Sequence, residues 1–124
     1  GHFWGAQTFG AIWMFSASKK YTGIRVSDVE ITDPTYSGIM FQTKYNGAAE
    51  NIFQDTVLSN VSISGARKSG DQFDAKSGFG LWANEMPEPG QGPAAGSVTI
   101  NGIRFSNNFQ DIKNTTTTFT ITIT

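Results

Sequence analysis

Apolar and polar positions alternate along this chain in short runs, and the runs are copies of one another. Residues 24–32 (IRVSDVEIT), 56–64 (TVLSNVSIS) and 98–106 (VTINGIRFS) share one pattern. It reads apolar-x-apolar, a small polar pair, apolar-x-apolar again, then Ser or Thr; only Thr56 departs, at the opening position. Alternation at period two predicts strands. The pairs Ser27-Asp28, Ser59-Asn60 and Asn101-Gly102 leave the same face inward on both sides only if the chain bends there. Each copy is therefore two short strands joined by a corner.

A second motif follows the first. It is clearest at 36–43 (YSGIMFQT), and it returns at 10–15 (GAIWMF), 79–84 (FGLWAN) and, fainter, at 110–114 (QDIKN). Aligning Ile12, Ile39, Leu81 and Ile112 as inward residues sets Trp13, Met40, Trp82 and Lys113 in one outward column. Phe15, Gln42, Asn84 and Thr115 form a second column beside it. Helical periodicity is absent. Three strands per turn, repeated in one direction, predict an all-β fold of the parallel β-helix (solenoid) type.

Val26 to Leu58 is a shorter step than Leu58 to Ile100, so loops are expected to bulge at 44–50, 65–77 and 85–96. The last of these carries Pro87, Pro89 and Pro93, which cannot join a ladder, and reads as a fixed surface loop. A β-sandwich also has short strands and turns, but it needs hairpin signals between neighbours, and only Asn46-Gly47 and Asn101-Gly102 qualify. The expected core is Ile24, Val26, Val29, Ile31, Ile39, Phe41, Leu58, Val61, Ile63, Leu81, Ile100, Ile103, Phe105 and Ile112. The tail, 115–124 (TTTTFTITIT), alternates Phe119, Ile121 and Ile123 against Thr and reads as a last strand covering an open edge.

Composition narrows the function. At 124 residues the chain is one domain at most, and nine Lys+Arg against ten Asp+Glu give no field favouring nucleic acid or an anionic membrane. There is no Cys, which excludes a disulfide framework and cysteine metal sites. No apolar run reaches membrane-spanning length. The chain opens GHFWG without Met, as a piece of a longer polypeptide would.

The segments YSGIMFQT, GARKSGDQFDAKSGFGLWANEMPEPGQGP and DIKNTT resemble the C-terminal coils of the family 87 glycoside hydrolases, the bacterial α-1,3-glucanases (mutanases) and related mycodextranases. The resemblance runs over nearly all of 1–124 and is most specific in 65–93. It implies a right-handed β-helix, secretion to the extracellular space, and hydrolysis of α-1,3-glucosidic bonds in an open cleft. That family's catalytic aspartates include an adjacent pair. No Asp-Asp pair occurs in this sequence, so no catalytic residue is carried over, and the acids are expected in coils upstream of Gly1. The segment then supplies cleft wall and β-helix end, is inactive alone, and has α-glucan and the upstream coils as its partners.

Substrate contact is expected of the outward columns: Trp13, Met40, Gln42, Trp82, Asn84, Glu85 and Lys113. A glucan's C–H faces stack on an indole while its hydroxyls need amides and carboxylates. The competing role for Trp13 and Trp82 is packing beneath a loop. Two Trp, one Met and one Lys suit a neutral glucan better than the Arg and Lys rows a uronate would require. Asp71 and Asp74, with Lys68 and Lys76 nearby, read as loop caps and surface pairs rather than a catalytic carboxyl pair. Asp28 and Asn60 read as turn-formers.

His2 is the only histidine, too few for a zinc site, and no Gly-x-Ser-x-Gly elbow exists. No cofactor is expected; calcium at loop carboxylates lacks any EF-hand or repeat-type spacing. Two other readings stand beside the hydrolase: a non-catalytic β-helical module for carbohydrate binding or assembly, and a β-helix polysaccharidase for another glycan.

Overall fold

A computed structural model describes residues 2–4, 10–16, 21–43, 53–85 and 94–124. The expected loops at 44–50 and 86–93 lie outside the described residues. Eleven strands are present among those described: β1 (His2–Trp4), β2 (Gly10–Ser16), β3 (Tyr21–Thr22), β4 (Arg25–Thr32), β5 (Ser37–Thr43), β6 (Phe53–Gln54), β7 (Val57–Ser64), β8 (Phe79–Ala83), β9 (Gly96–Ser106), β10 (Gln110–Asn114) and β11 (Phe119–Ile123). One 3-10 turn, Asp74–Lys76, interrupts the loop before β8.

Two sheets hold these strands. The first runs β1-β4-β7-β9-β6-β3 with β11 also on β9; the second runs β10-β8-β5-β2. Every pairing among the described strands is parallel. Parallel neighbours need crossover connections, so the hairpin-built sandwich is excluded for these strands.

The pairing register follows the sequence repeat. Val26 lies beside Leu58 and Leu58 beside Ile100; Val29, Val61 and Ile103 form the next row, and Ile31, Ile63 and Phe105 the one after. Between the rows sit the corners. The second residue of each polar pair takes the left-handed conformation: Asp28 at φ 56°, Asn60 at φ 53° and Gly102 at φ 78°. Asp, Asn and Gly are the residues that tolerate this region, and so the corner falls there. The corners also bond to one another: Asn60 Nδ2 donates to Asp28 Oδ1 (2.7 Å) and Arg104 donates to Asn60 Oδ1 (3.2 Å). Another row of left-handed residues, Asp33, Gly65 and Asn107, closes the far ends of β4, β7 and β9. It too is made of Asp, Gly and Asn, the residue types that tolerate this region.

The core is a stack of aliphatic rows. Ile31, Ile39, Phe41, Leu58, Val61, Ile63, Leu81 and Ile100 are all fully buried. Ile24, Val26, Ile103, Phe105 and Ile112, expected to be buried, are only partly so. The cause is position. β1 covers β4 only from Glu30 to Thr32, β11 covers β9 only from Gly96 to Ile100, and β10 is the edge of its sheet. Among the described residues, side chains on those flanks have a covering row on one side only.

The tail strand β11 anchors through Phe119, which is buried against Phe41 (ring centroids 4.9 Å) and Phe53 (6.1 Å). At Gly96 (φ 109°) a β-carbon would run into the Phe53 backbone, so only glycine lets β9 start beside β6. Further along β11 the burial fades, and Ile123 is 45% exposed.

Candidate functional site

The second sheet carries the candidate face. Its inward row is Ile12, Ile39, Leu81 and Ile112, and its outward row is Trp13, Met40, Trp82 and Lys113, each residue paired with the next in parallel register. The column geometry is as the repeat predicts. Exposure along it is uneven.

Trp13 is 47% exposed, whereas Met40 and Trp82 are enclosed and pack with Phe79 as a small second core outside the sheet. In the neighbouring column Gln42 and Asn84 are buried too. Thr115 is exposed, and the Phe15 side chain lies outside the described residues. Strand alternation decides which way a side chain points, but what covers it afterwards comes from segments distant in sequence.

Phe79 departs from the alternation. Its parity with Leu81 predicts an inward ring, yet it packs at 5.6 Å from Trp82. Phe79 opens its strand directly after Gly78, which takes a φ of 91°.

Glu85 closes this cluster. Its Oε2 accepts a hydrogen bond from Trp82 Nε1 (2.9 Å), and its Oε1 pairs with Lys113 Nζ at 3.1 Å. The Lys113 ammonium lies 4.8 Å from the Phe79 ring centre, a cation–π contact. Both Glu85 oxygens, expected to meet sugar hydroxyls, have partners within the protein. Burial pushes the Glu85 carboxyl upward, but hydrogen bonds from Trp82 and from its own backbone amide, together with the Lys113 charge, outweigh it and hold the group below the usual glutamate range.

A depressed carboxylate stabilises the fold above its unfolded value, about pH 4.3, and that contribution is lost as pH falls through the lower folded value. The melting temperature of Glu85→Gln is therefore expected to lie below the parent's at neutral pH and to converge with it as the pH falls below the unfolded value, about pH 4.3. Thermal melts of the two proteins from neutral pH into acid check this; a constant gap would show that the charge contributes nothing.

The loop 65–78 holds two more carboxylates, Asp71 and Asp74. Asp71 accepts from Ser69 Oγ (2.7 Å), the Phe73 amide (2.8 Å) and Tyr36 Oη (3.0 Å). Those bonds, Ser69's first, hold its carboxyl below the ordinary aspartate range. Asp74 accepts from the Gly70 amide (2.7 Å) and pairs with Lys68 at 3.4 Å. Both side chains cap the loop. The Lys68 ammonium also lies near two rings, Phe79 (5.5 Å) and Phe109 (5.4 Å), contacts that the sequence gives no signal for. Among the described residues, no group of three His, Cys, Asp or Glu side chains could hold a metal ion.

A family model described as the alpha-1,3-glucanase catalytic domain D2 matches residues 2–121. The chain is similar to a solved catalytic domain of a GH87 alpha-1,3-glucanase in complex with nigerose, at 26% identity and TM-score 0.72 over 90% of this chain. It is also similar to an aspartate-to-alanine variant of such a domain in complex with tetrasaccharides, at 25% identity and TM-score 0.71. In both cases it spans 18% of the solved chain's length. No curated protein matches it.

Proposed function

We propose, since this chain belongs to the alpha-1,3-glucanase catalytic domain D2 family, that it is part of a secreted glycoside hydrolase acting on α-1,3-glucosidic bonds. It forms coils of a right-handed parallel β-helix. The in-register parallel pairing of each repeat with the next supports that architecture. The family match over 2–121 is the observation that carries the function.

Within that enzyme the segment shapes substrate rather than cleaving it. Glycoside hydrolysis needs two carboxyls separated by roughly 5 to 10 Å with a sugar between them. Asp71, Asp74 and Glu85 are engaged in capping and pairing, and the sequence has no adjacent aspartates. The acids therefore come from other parts of the enzyme. Secretion follows from the substrate, an insoluble polysaccharide that a cell meets outside itself. Trp13, the half-exposed indole of the outward row, is the glucan-stacking residue, with Lys113 at the opposite edge of the same column; Met40, Gln42, Trp82 and Asn84, buried between them, support that face.

Trp13→Ala in the intact enzyme is expected to lower affinity for α-1,3-glucan about 5- to 150-fold, the range for losing one stacked ring, with little change in melting temperature. Comparing α-1,3-glucan with nigeran, whose linkages alternate between 1,3 and 1,4, defines the bond recognised. Failure of the intact enzyme to bind or cleave either glucan would end this reading.

A further inference from the structure

Phe109 is 64% exposed, the most exposed large hydrophobic among the described residues, yet it is held in place. Its amide donates to the Ala66 carbonyl (2.7 Å). Before it, Asn107 takes the left-handed conformation. Asn108 bonds to the Ala66 amide (2.9 Å), the Ile63 carbonyl (3.1 Å) and Asp111 (3.2 Å). The ring rests near the Lys68 ammonium, itself tied to Asp74. An aromatic side chain fixed from behind and left open to water loses little freedom when something stacks on it, which favours binding.

We infer that Phe109 is a second stacking platform for a neutral α-glucan, separate from Trp13; this rests on the function proposed above. The surroundings select sugar over a protein partner. The residues flanking it in the chain, Asn107, Asn108, Gln110 and Asp111, are polar, and the Lys68 ammonium lies 5.4 Å from the ring, so the exposed ring is set among polar groups. A pyranose presents one apolar face ringed by hydroxyls, which matches an isolated ring inside a rim of amides and charges.

Its position sets what it can touch. Phe109 precedes Gln110, which pairs with Phe79, while Trp13 lies three strands away on β2 and four residues further along. That places the two rings at opposite corners of the sheet, about 14 Å apart across the strands and about 13 Å along them. A disaccharide at one ring does not reach the other, whereas a longer chain does.

The test measures binding of the intact enzyme to insoluble α-1,3-glucan and to nigerose, with melting temperatures, for the parent, Phe109→Ala, Phe109→Trp and Trp13→Ala. The expected result is a loss of about 5- to 150-fold in glucan affinity for Phe109→Ala. Phe109→Trp retains binding, nigerose affinity is unchanged, and so is the melting temperature. If Trp13→Ala weakens glucan binding while Phe109→Ala does not, the second platform is refuted and the proposed function stands. A lowered melting temperature with normal glucan affinity also refutes it, by showing that the ring packs against another part of the enzyme. If the parent itself does not bind glucan, the proposed function fails first, and this inference with it.

Discussion

Val61→Asp is expected to leave the protein largely unfolded at neutral pH. Val61 is fully buried, and its row places it between Val29 of one repeat and Ile103 of the next. An aspartate there has no cation among the residues of that row and no water. Burying an unpaired carboxylate, or protonating it to avoid the charge, is among the few mechanisms that reach about 4–5 kcal/mol or more. Set against a total stability of about 5–15 kcal/mol, that is most of what a domain has.

The effect should also depend on pH. The buried carboxyl is pushed upward, so the variant loses less stability at pH 4, where the neutral acid is accessible, than at pH 7. Val61→Thr, nearly the same shape with one buried hydroxyl, is expected to cost only about 1–3 kcal/mol. Circular dichroism melts of the three proteins at two pH values decide the matter. A Val61→Asp protein that melts like the parent would mean that the stacked rows are not the core.

Trp82→Ala is expected to lower the melting temperature sharply and to leave affinity for α-1,3-oligosaccharides near the parent's. The indole has no accessible surface, packs with Met40 and Phe79, and donates to Glu85. Removing a large buried aromatic leaves a cavity and costs about 3–5 kcal/mol. It also deprives Glu85 of its neutral donor, leaves the ion pair with Lys113, and should raise the carboxyl toward its ordinary range.

Trp82→Phe separates the two contributions, because it keeps most of the packing and removes only the N–H. Its loss is expected at about 1.5–3 kcal/mol, the range for a hydrogen bond to a charged group. The opposite pattern, an unchanged melting temperature with a large loss of oligosaccharide affinity, would mean that the indole turns out to meet substrate. Trp13 and Trp82 thus occupy one column and are assigned different work: one ring offered to glucan, the other holding the face that offers it.

The two tryptophans mark the line between what the sequence determines and what the tertiary structure decides. Parallel strands, the repeat register and the inward rows through Val29, Val61 and Ile103 were legible because alternation at period two is a local property. The corners were legible for the same reason: Asp28, Asn60 and Gly102 belong to the few residue types that adopt the left-handed conformation readily.

Burial outside the sheet was not legible. Alternation assigns Trp13 and Trp82 the same direction, but the enclosure of Trp82 depends on Phe79, Glu85 and Lys113 meeting around it, and Lys113 comes from the next repeat. Phe109 was hidden for a related reason. A phenylalanine between Asn108 and Gln110 carries no periodic signal, and only the folded chain brings Ala66 and Lys68 behind it and leaves its ring in water. Direction along a strand is fixed by the residue's own backbone, whereas exposure is fixed by chain that arrives from elsewhere.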